Sequence, residues 1–252
     1  MPFRFAYSAL FWQHPDLERE LPALRQNGYD GWEMRLPLDW VGSAGRLQKI
    51  CREADTEIAA VCGPNAALDL EHPNQQMCKR RIEFAADMGV GLFMTKGPGR
   101  GEEETTDADL DRMAAVYEDL AVHGEKLGVT VTFHPHIRHR VNSWDEWVRF
   151  MGRLRHCRLC MDMSHSVHWG KDPVEAVAAF APSIAYVHLH DFKDGRTVEL
   201  GRGPMCDYRA FMASLEGIGY DGWVTVCPGE EEGPEAEKMR VNRDYLRGIG
   251  YA

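Results

Sequence analysis

Strand-like and helix-like segments alternate eight times along these 252 residues, and this alternation restricts the fold more than any other feature. Each strand-like segment is a short apolar run, and the segments between them carry apolar residues at helical spacing. The predicted strands are 3–7, 31–35, 57–62, 91–95, 129–133, 159–162, 184–188 and 223–226.

The segments between the strands predict eight helices. They are 16–26, 43–54, 74–88, 110–127, 143–153, 173–180, 208–218 and 235–247. Eight strand–helix units without a break in composition predict a single-domain (β/α)8 barrel over residues 1–252. An open doubly wound sheet is the alternative. It usually carries a glycine-rich phosphate loop after strand one, and the segment 8–11 (Ser-Ala-Leu-Phe) is not such a loop.

Three consecutive predicted strands end in side chains that bind metals or transfer protons. The strand 159–162 ends at Asp162, the strand before it runs into His134, and the strand after it runs into His188. The active site of a parallel barrel lies at the carboxyl ends of its strands. We therefore expect these side chains to meet at one mouth, together with Glu33 of strand two and Cys227 after strand eight.

Such convergence suits a divalent metal ion, which needs three or four nitrogen, oxygen or sulfur donors from separate parts of the chain. A single buried histidine is more often a hydrogen-bonded core residue. Three successive strands ending in this way favour a site instead.

Composition excludes several classes of protein. The net charge is −10, and the acidic residues are spread along the chain, which argues against a nucleic-acid partner. No apolar run approaches the roughly 18 residues of a membrane span, and the amino terminus does not resemble a signal peptide. The odd number of seven cysteines predicts a reduced, cytoplasmic protein. Whether the protein forms a homo-oligomer stays open.

Four motifs appear in one order along the chain: 28–33 (GYDGWE), 162–165 (DMSH), 186–191 (YVHLHD) and 219–226 (GYDGWVTV). With them, nearly the whole chain resembles the sugar phosphate isomerase/epimerase superfamily. These are the xylose isomerase-like TIM barrels, which include inosose dehydratase and endonuclease IV.

The resemblance implies one divalent metal ion held by Glu, Asp, His and Glu on strands five to eight. Asp162 and His188 match the second and third positions, whereas His134 and Cys227 replace the two glutamates. The resemblance thus implies a site of His134, Asp162, His188 and Cys227 for zinc, manganese, cobalt or magnesium. Thiolate and imidazole donors favour zinc or another late transition ion. Glu230, beyond Pro228, is an alternative donor.

In the ketose epimerases of this superfamily the two glutamates also shuttle the proton, and both are absent here. The remaining candidates for proton transfer are three histidines and one carboxylate: His136, His165, His190 and Glu33. The resemblance implies that His165 contacts the substrate. Lys96 is predicted to bind an anionic or carbonyl oxygen, Arg202 to bind an anion, and Trp12 to wall the pocket.

The sequence therefore predicts a metal-dependent isomerase, epimerase or dehydratase (a lyase). Its small-molecule substrate would be a sugar, a cyclitol or a related polyhydroxy carbonyl compound that reacts through an enediolate. The segment 134–136 (His-Pro-His) resembles one in inosose dehydratase-like members and favours elimination. Two alternatives stay open: an endonuclease IV-like phosphodiester hydrolase, which the negative charge disfavours, and a non-catalytic binder that has lost its metal.

Overall fold

The computed structural model describes residues 3–13, 16–203 and 205–251. Its strands are β1 (Arg4–Ser8), β2 (Gly31–Met34), β3 (Glu57–Cys62), β4 (Leu92–Lys96), β5 (Thr130–His134), β6 (Arg158–Asp162), β7 (Ile184–Leu189), β8 (Asp191–Lys193), β9 (Arg196–Val198) and β10 (Trp223–Val226). Strands β1 to β7 and β10 pair in parallel, each with its neighbours along the chain, and β10 closes on β1. The predicted (β/α)8 barrel is confirmed.

The helices are α1 (Leu17–Gln26), α2 (Leu38–Val41), α3 (Ala44–Glu53), α4 (Pro73–Met88), α5 (Asp107–Glu125), α6 (Trp144–Met151), α7 (Met163–His168), α8 (Pro173–Phe180), α9 (Tyr208–Gly217) and α10 (Glu235–Gly248). Each predicted helix is present, with ends displaced by no more than three residues. Among the described residues, the elements that were not predicted are the short helices α2 and α7, the antiparallel hairpin of β8 and β9, and a 3-10 turn at Ala181–Ser183. These elements are too short for apolar periodicity to reveal them.

The start of α5 shows how a local contact fixes a helix end. Apolar spacing predicts a start at 110, whereas the helix begins at Asp107. The Thr106 hydroxyl accepts a hydrogen bond from the Asp109 backbone N–H at 3.2 Å, and the Asp109 carboxylate accepts one from the Thr106 N–H at 3.0 Å. This capping box satisfies backbone donors of the first turn and sets the boundary ahead of the apolar stripe.

Side chains fill the barrel in two layers of different character. The amino-terminal half holds a small apolar cluster that includes Ala6, Cys160 and Tyr186. Because side chains two residues apart point to the same side of a strand, the next inward positions on the same strands are Ser8, Asp162 and His188. All three are buried, so the apolar layer forms a floor beneath a polar layer at the carboxyl ends.

Across the described residues, no helix has both the length and the apolar character needed to cross a bilayer.

Candidate active site

The four predicted metal donors lie at the carboxyl end of the barrel. Strand β5 ends at His134 and β6 at Asp162, and Asp162 pairs in register with His188 of β7. Cys227 directly follows β10, and its backbone N–H donates to the Leu189 carbonyl at 3.0 Å. All four side chains are buried.

Asp162 lies at the centre of a group that we call the histidine cluster. The cluster consists of Asp162, Cys227 and four histidines: His134, His165, His188 and His190. One carboxylate oxygen, Oδ2, faces four imidazole nitrogens. Its distances are 3.1 Å to His134 Nε2, 3.2 Å to His190 Nε2, 3.5 Å to His165 Nε2 and 4.0 Å to His188 Nδ1. One carboxylate oxygen has about two lone-pair sites, so it cannot accept a hydrogen bond from all four nitrogens. A cation shared among these groups would satisfy the remaining nitrogens.

The other oxygen of Asp162 is held by the chain itself. Oδ1 accepts hydrogen bonds from the Ser164 backbone N–H at 2.9 Å and the Ser164 hydroxyl at 2.5 Å. Asp162 therefore caps the amino terminus of α7. This short helix brings His165 back over the carboxylate, since residues three apart lie on one helix face.

The donors of the cluster are not all used by protein contacts. Among the described residues, the buried nitrogens His134 Nδ1, His165 Nε2 and His190 Nδ1 have no hydrogen-bond partner. Buried polar atoms without partners are rare and costly. Of these three, His165 Nε2 faces the Asp162 carboxylate at 3.5 Å. Imidazole, carboxylate and thiol groups are the donors that late divalent ions such as zinc prefer, so the residues fit a metal ion.

Three groups of donors lie close enough for coordination, with ligand atoms within 4.8 Å of one another. They are His134–Asp162–His165, His188–His190–Cys227 and His134–Cys160–His188. Cys160 lies in the apolar cluster of the barrel interior, and its sulfur is also within reach of two imidazoles.

The charges of the cluster support one another. Burial by itself raises the pKa of Asp162, but the charge of His190 and the hydrogen bonds from His134 and His190 bring that pKa well below its usual value. Burial likewise raises the pKa of the Cys227 thiol, yet His188 and His190 lower it to about 6. Cys227 is thus held as a thiolate near neutral pH, the form that binds metals.

Two neighbouring histidines, His136 and His165, are instead kept neutral. Burial lowers the pKa of His136 to about 3 and that of His165 to about 4. The Ile137 carbonyl accepts a hydrogen bond from His136 Nδ1 at 2.8 Å, so Nε2 keeps its lone pair. The two rings lie near each other, with centroids 4.8 Å apart. At neutral pH, both imidazoles can accept a proton.

Glu33, predicted as a carboxylate base, lies within the barrel, on the opposite side of His188 from Asp162. It is fully buried and accepts four hydrogen bonds, from His188 Nε2 at 2.6 Å, Arg35 Nε at 2.6 Å, Ser8 Oγ at 2.7 Å and the Tyr186 hydroxyl at 3.0 Å. Burial raises the pKa of Glu33, but the charges of Arg35 and His188 bring it well below its usual value.

The other predicted contact residues differ in exposure. Lys96 ends β4 in register with His134, and burial and the nearby Arg35 lower its pKa. Trp12 is buried, stacks on the Trp32 ring at 5.6 Å and donates from Nε1 to Glu235 at 3.3 Å.

The remaining candidates lie on the hairpin side of the mouth. Arg202 is exposed and pairs with Glu231 at 2.9 Å. The alternative donor Glu230 is also exposed, and its carboxylate accepts from the Thr197 hydroxyl at 3.3 Å.

Several residues around the site were missed from the sequence. Ser164 anchors Asp162, and Arg35 and Tyr186 bind Glu33. A signal was available: Arg35 lies two residues after Glu33, and Tyr186 two residues before His188. The alternation of side chains along a strand places each pair on the same side.

Comparison with known proteins gives consistent results. The family model described as a xylose isomerase-like TIM barrel matches residues 21–249. The inosose dehydratase of Geobacillus kaustophilus is 29% identical over 164 residues, which are 58% of this chain and 52% of that protein. The inosose dehydratase of Lacticaseibacillus casei is 25% identical over 142 residues, 48% and 47% of the two chains. The chain thus spans about half the length of the curated relatives it matches.

Solved structures are similar over the full length. A sugar phosphate isomerase/epimerase from Parabacteroides distasonis has a TM-score of 0.80 at 14% identity, covering 100% of this chain and 96% of its own. A 3-keto-D-glucoside 4-epimerase from E. coli has a TM-score of 0.81 at 16% identity, covering 99% and 100%. At these identities the likeness supports the fold.

Proposed function

The chain belongs to the xylose isomerase-like TIM-barrel family, and we propose that it is a metal-dependent enzyme acting on a sugar, a cyclitol or a related polyhydroxy carbonyl compound. It would remove the proton from the carbon beside the carbonyl. One observation carries the proposal: the buried Asp162 Oδ2 faces four imidazole nitrogens within 4.0 Å at the mouth of the barrel.

The proposed ligands are His134, Asp162, His188 and Cys227. A divalent ion held there supplies Lewis-acid polarisation of a substrate carbonyl. Two imidazoles, one carboxylate and one thiolate favour zinc or cobalt over magnesium. Cys227 reaches the site beside His188 and His190, the two imidazoles that hold its thiolate.

His165 is the proposed base. Its Nε2 is buried, has no hydrogen-bond partner among the described residues and lies 3.5 Å from Asp162 Oδ2, so it faces the cluster. His136, next to it, is the proposed second base, and Lys96 is proposed to bind a substrate oxygen. His190 contacts Asp162 at 3.2 Å and is the proposed acid. The base takes the proton from carbon, and the acid gives a proton to the leaving hydroxyl or to the neighbouring carbon.

We favour elimination of water over isomerisation. The two-glutamate proton shuttle of the ketose epimerases has no counterpart at 134 and 227, where histidine and cysteine stand. Beside the proposed ligands, His165 and His190 remain next to Asp162, and imidazole can both accept the carbon-bound proton and protonate a leaving hydroxyl. The matched curated relatives are inosose dehydratases, which agrees with this preference.

Solvent exchange tests the proposal on a small panel of polyhydroxy carbonyl compounds. The protein is stripped with a chelator, reloaded with Zn²⁺, Co²⁺ or Mn²⁺, and incubated in D₂O with an inosose, D-allulose or L-ribulose. We expect deuterium at the carbon beside the carbonyl, detected by NMR. A product lighter by one water indicates dehydration, and an exchanged epimer without loss of water indicates isomerisation. Absence of both metal uptake and exchange would contradict the enzyme and favour a non-catalytic binder.

A further inference from the structure

We propose that Glu33 is a positioning residue that fixes the tautomer of His188, so that Nδ1 of this imidazole, and not Nε2, faces the metal ligands. The inference rests on the proposed metal site. It assigns Glu33 a different role from the base predicted from the sequence.

The tautomer follows from the partners of the ring. His188 Nε2 lies 2.6 Å from Glu33 Oε2. An ionised carboxylate only accepts hydrogen bonds, so Nε2 carries the hydrogen. The other nitrogen, Nδ1, lies 3.2 Å from His134 Nε2 and 4.0 Å from Asp162 Oδ2, on the cluster side of the ring. His188 is fully buried, and the Tyr186 ring lies against it at 5.0 Å, which restricts rotation.

Glu33 has no capacity left for a substrate. Oε1 accepts from Ser8 and Arg35, and Oε2 accepts from Tyr186 and His188. The carboxylate is fully buried, and the Tyr186 hydroxyl also contacts Thr225 Oγ1 at 2.7 Å. A side chain so enclosed acts on the reaction through His188 and not by direct contact.

The contact also crosses the barrel. Strands β2 and β7 are not neighbours, because β1 and β10 lie between them. Glu33 therefore reaches His188 through the interior. Histidine ligands of metals almost always donate their second nitrogen to a carboxylate or carbonyl, which raises the basicity of the ligating nitrogen. Removal of such a partner typically weakens metal binding about 10–100-fold.

A purely structural role is the competing interpretation, since Glu33 and Arg35 form a buried ion pair. A structural pair would change the stability of the protein and leave both the tautomer of His188 and the metal affinity unchanged. Metal affinity and the tautomer therefore separate the two interpretations.

Co²⁺ titration, followed by visible absorption, is the first test. Glu33→Gln should raise the Kd for Co²⁺ about 10–100-fold. The matched control is Glu20→Gln, the same change at a buried glutamate that pairs with Arg19 at 2.6 Å on α1; its Kd should equal that of the wild type. A folded Glu33→Gln variant with unchanged Co²⁺ affinity would overturn the inference and leave the metal site intact.

The second test uses the wild type and needs no variant to fold. In Zn²⁺-loaded protein with ¹⁵N-labelled histidine, we expect the His188 resonances to report a hydrogen on Nε2 and none on Nδ1. The opposite tautomer overturns the inference alone. Wild type that binds neither Co²⁺ nor Zn²⁺ overturns the proposed metal site and, with it, this inference, so the two failures can be told apart.

Discussion

The two carboxylates on either side of His188 are equally buried but differ in how their oxygens are used. Glu33 has four donors in fixed positions, one of them the guanidinium of Arg35. Asp162 has one oxygen anchored by Ser164, and its other oxygen faces imidazoles whose nitrogens are partly unused.

Burial and a depressed pKa therefore do not by themselves identify a reactive carboxylate, since Glu33 and Asp162 share both properties. The difference lies in the hydrogen bonds that each carboxylate accepts. Both oxygens of Glu33 are fully used by donors in fixed positions, and this arrangement stabilises the fold. Asp162 Oδ2 instead faces imidazoles with nitrogens that lack partners among the described residues, and this arrangement suits a cation.

The largest effect is expected from Asp162→Asn, because the amide lacks the charge that holds a cation among imidazoles. Zn²⁺ affinity should fall more than about 100-fold, beyond the range seen when the lost residue only hydrogen-bonds to a metal ligand. Metal content after dialysis measures it. The matched control is Asp172→Asn, the same change at another helix N-cap, where Asp172 Oδ1 accepts from the Val174 N–H at 2.7 Å. Equal metal content in both variants would remove Asp162 from the site.

His165→Ala should leave metal content intact and lower kcat/KM by about 10²–10⁴-fold, the usual contribution of a positioned acid or base. The assay is deuterium exchange in D₂O, on whichever substrate of the panel exchanges. His168→Ala, an exposed position on the same helix, is the control and should retain the rate. Loss of metal in the His165 variant would instead make His165 a ligand.

Arg35→Met tests whether the hydrogen bonds around Glu33 stabilise the fold. Removing one partner of a buried pair leaves Glu33 without its main counter-charge, and the free energy of unfolding should fall by about 3 kcal/mol. Urea denaturation of the metal-free protein measures it. The exposed pair of Arg25 and Asp55, 2.9 Å apart, provides the control: Arg25→Met should cost less than about 1 kcal/mol. Similar losses of unfolding free energy in the two variants would show that the ion pair of Glu33 and Arg35 does not stabilise the fold.

Cys227→Ser should weaken Zn²⁺ binding about tenfold, because serine keeps an oxygen donor at this position but lacks the charge of the thiolate. It should reduce the preference for zinc over manganese, because a hydroxyl is a harder donor than a thiolate. Competition between the two ions measures this preference. Cys206→Ser, at a half-buried position, is the control. If both variants keep wild-type affinity and preference, the Cys227 thiol is not a ligand.

The smallest effect concerns Asp109, a carboxylate with a depressed pKa in the capping box of α5. The backbone N–H of Thr106, Arg112 and the Thr106 hydroxyl lower its pKa to about 2. Its charged form therefore contributes stability above about pH 3.9, and this is lost as the pH falls through about 2. Asp109→Asn should cost about 1 kcal/mol at neutral pH, and the difference should shrink in acid.

Thermal unfolding from pH 7 to pH 2 follows this difference, and Zn²⁺ affinity should not change. A difference that stays constant down to pH 2 would contradict the assignment to the charge of Asp109. A change in Zn²⁺ affinity would show that a carboxylate whose hydrogen bonds are all satisfied also influences the proposed metal site.

The sequence predicted the strands well because each is a short apolar run bounded by polar residues, and the barrel then dictates that Asp162 and His188 meet. It could not predict which partner each polar side chain selects. His188 and Glu33 are separated by 155 positions, and their contact depends on the shape of the closed barrel. The same holds for Trp12, whose ring is buried against Trp32, since no local pattern fixes the path of the loop after β1.

The contact between Glu33 and His188 also has a consequence for how the chain acquires its structure. Its two strands are brought together only when β10 joins β1 and β7, which requires the chain up to residue 226. Contacts of such long sequence separation carry a large loop-closure cost and form slowly. A nascent chain that ends before β10 thus contains His134, Asp162 and His188 without the closure that orients them. We therefore expect the proposed metal site to bind its ion tightly only once β10 has joined the barrel.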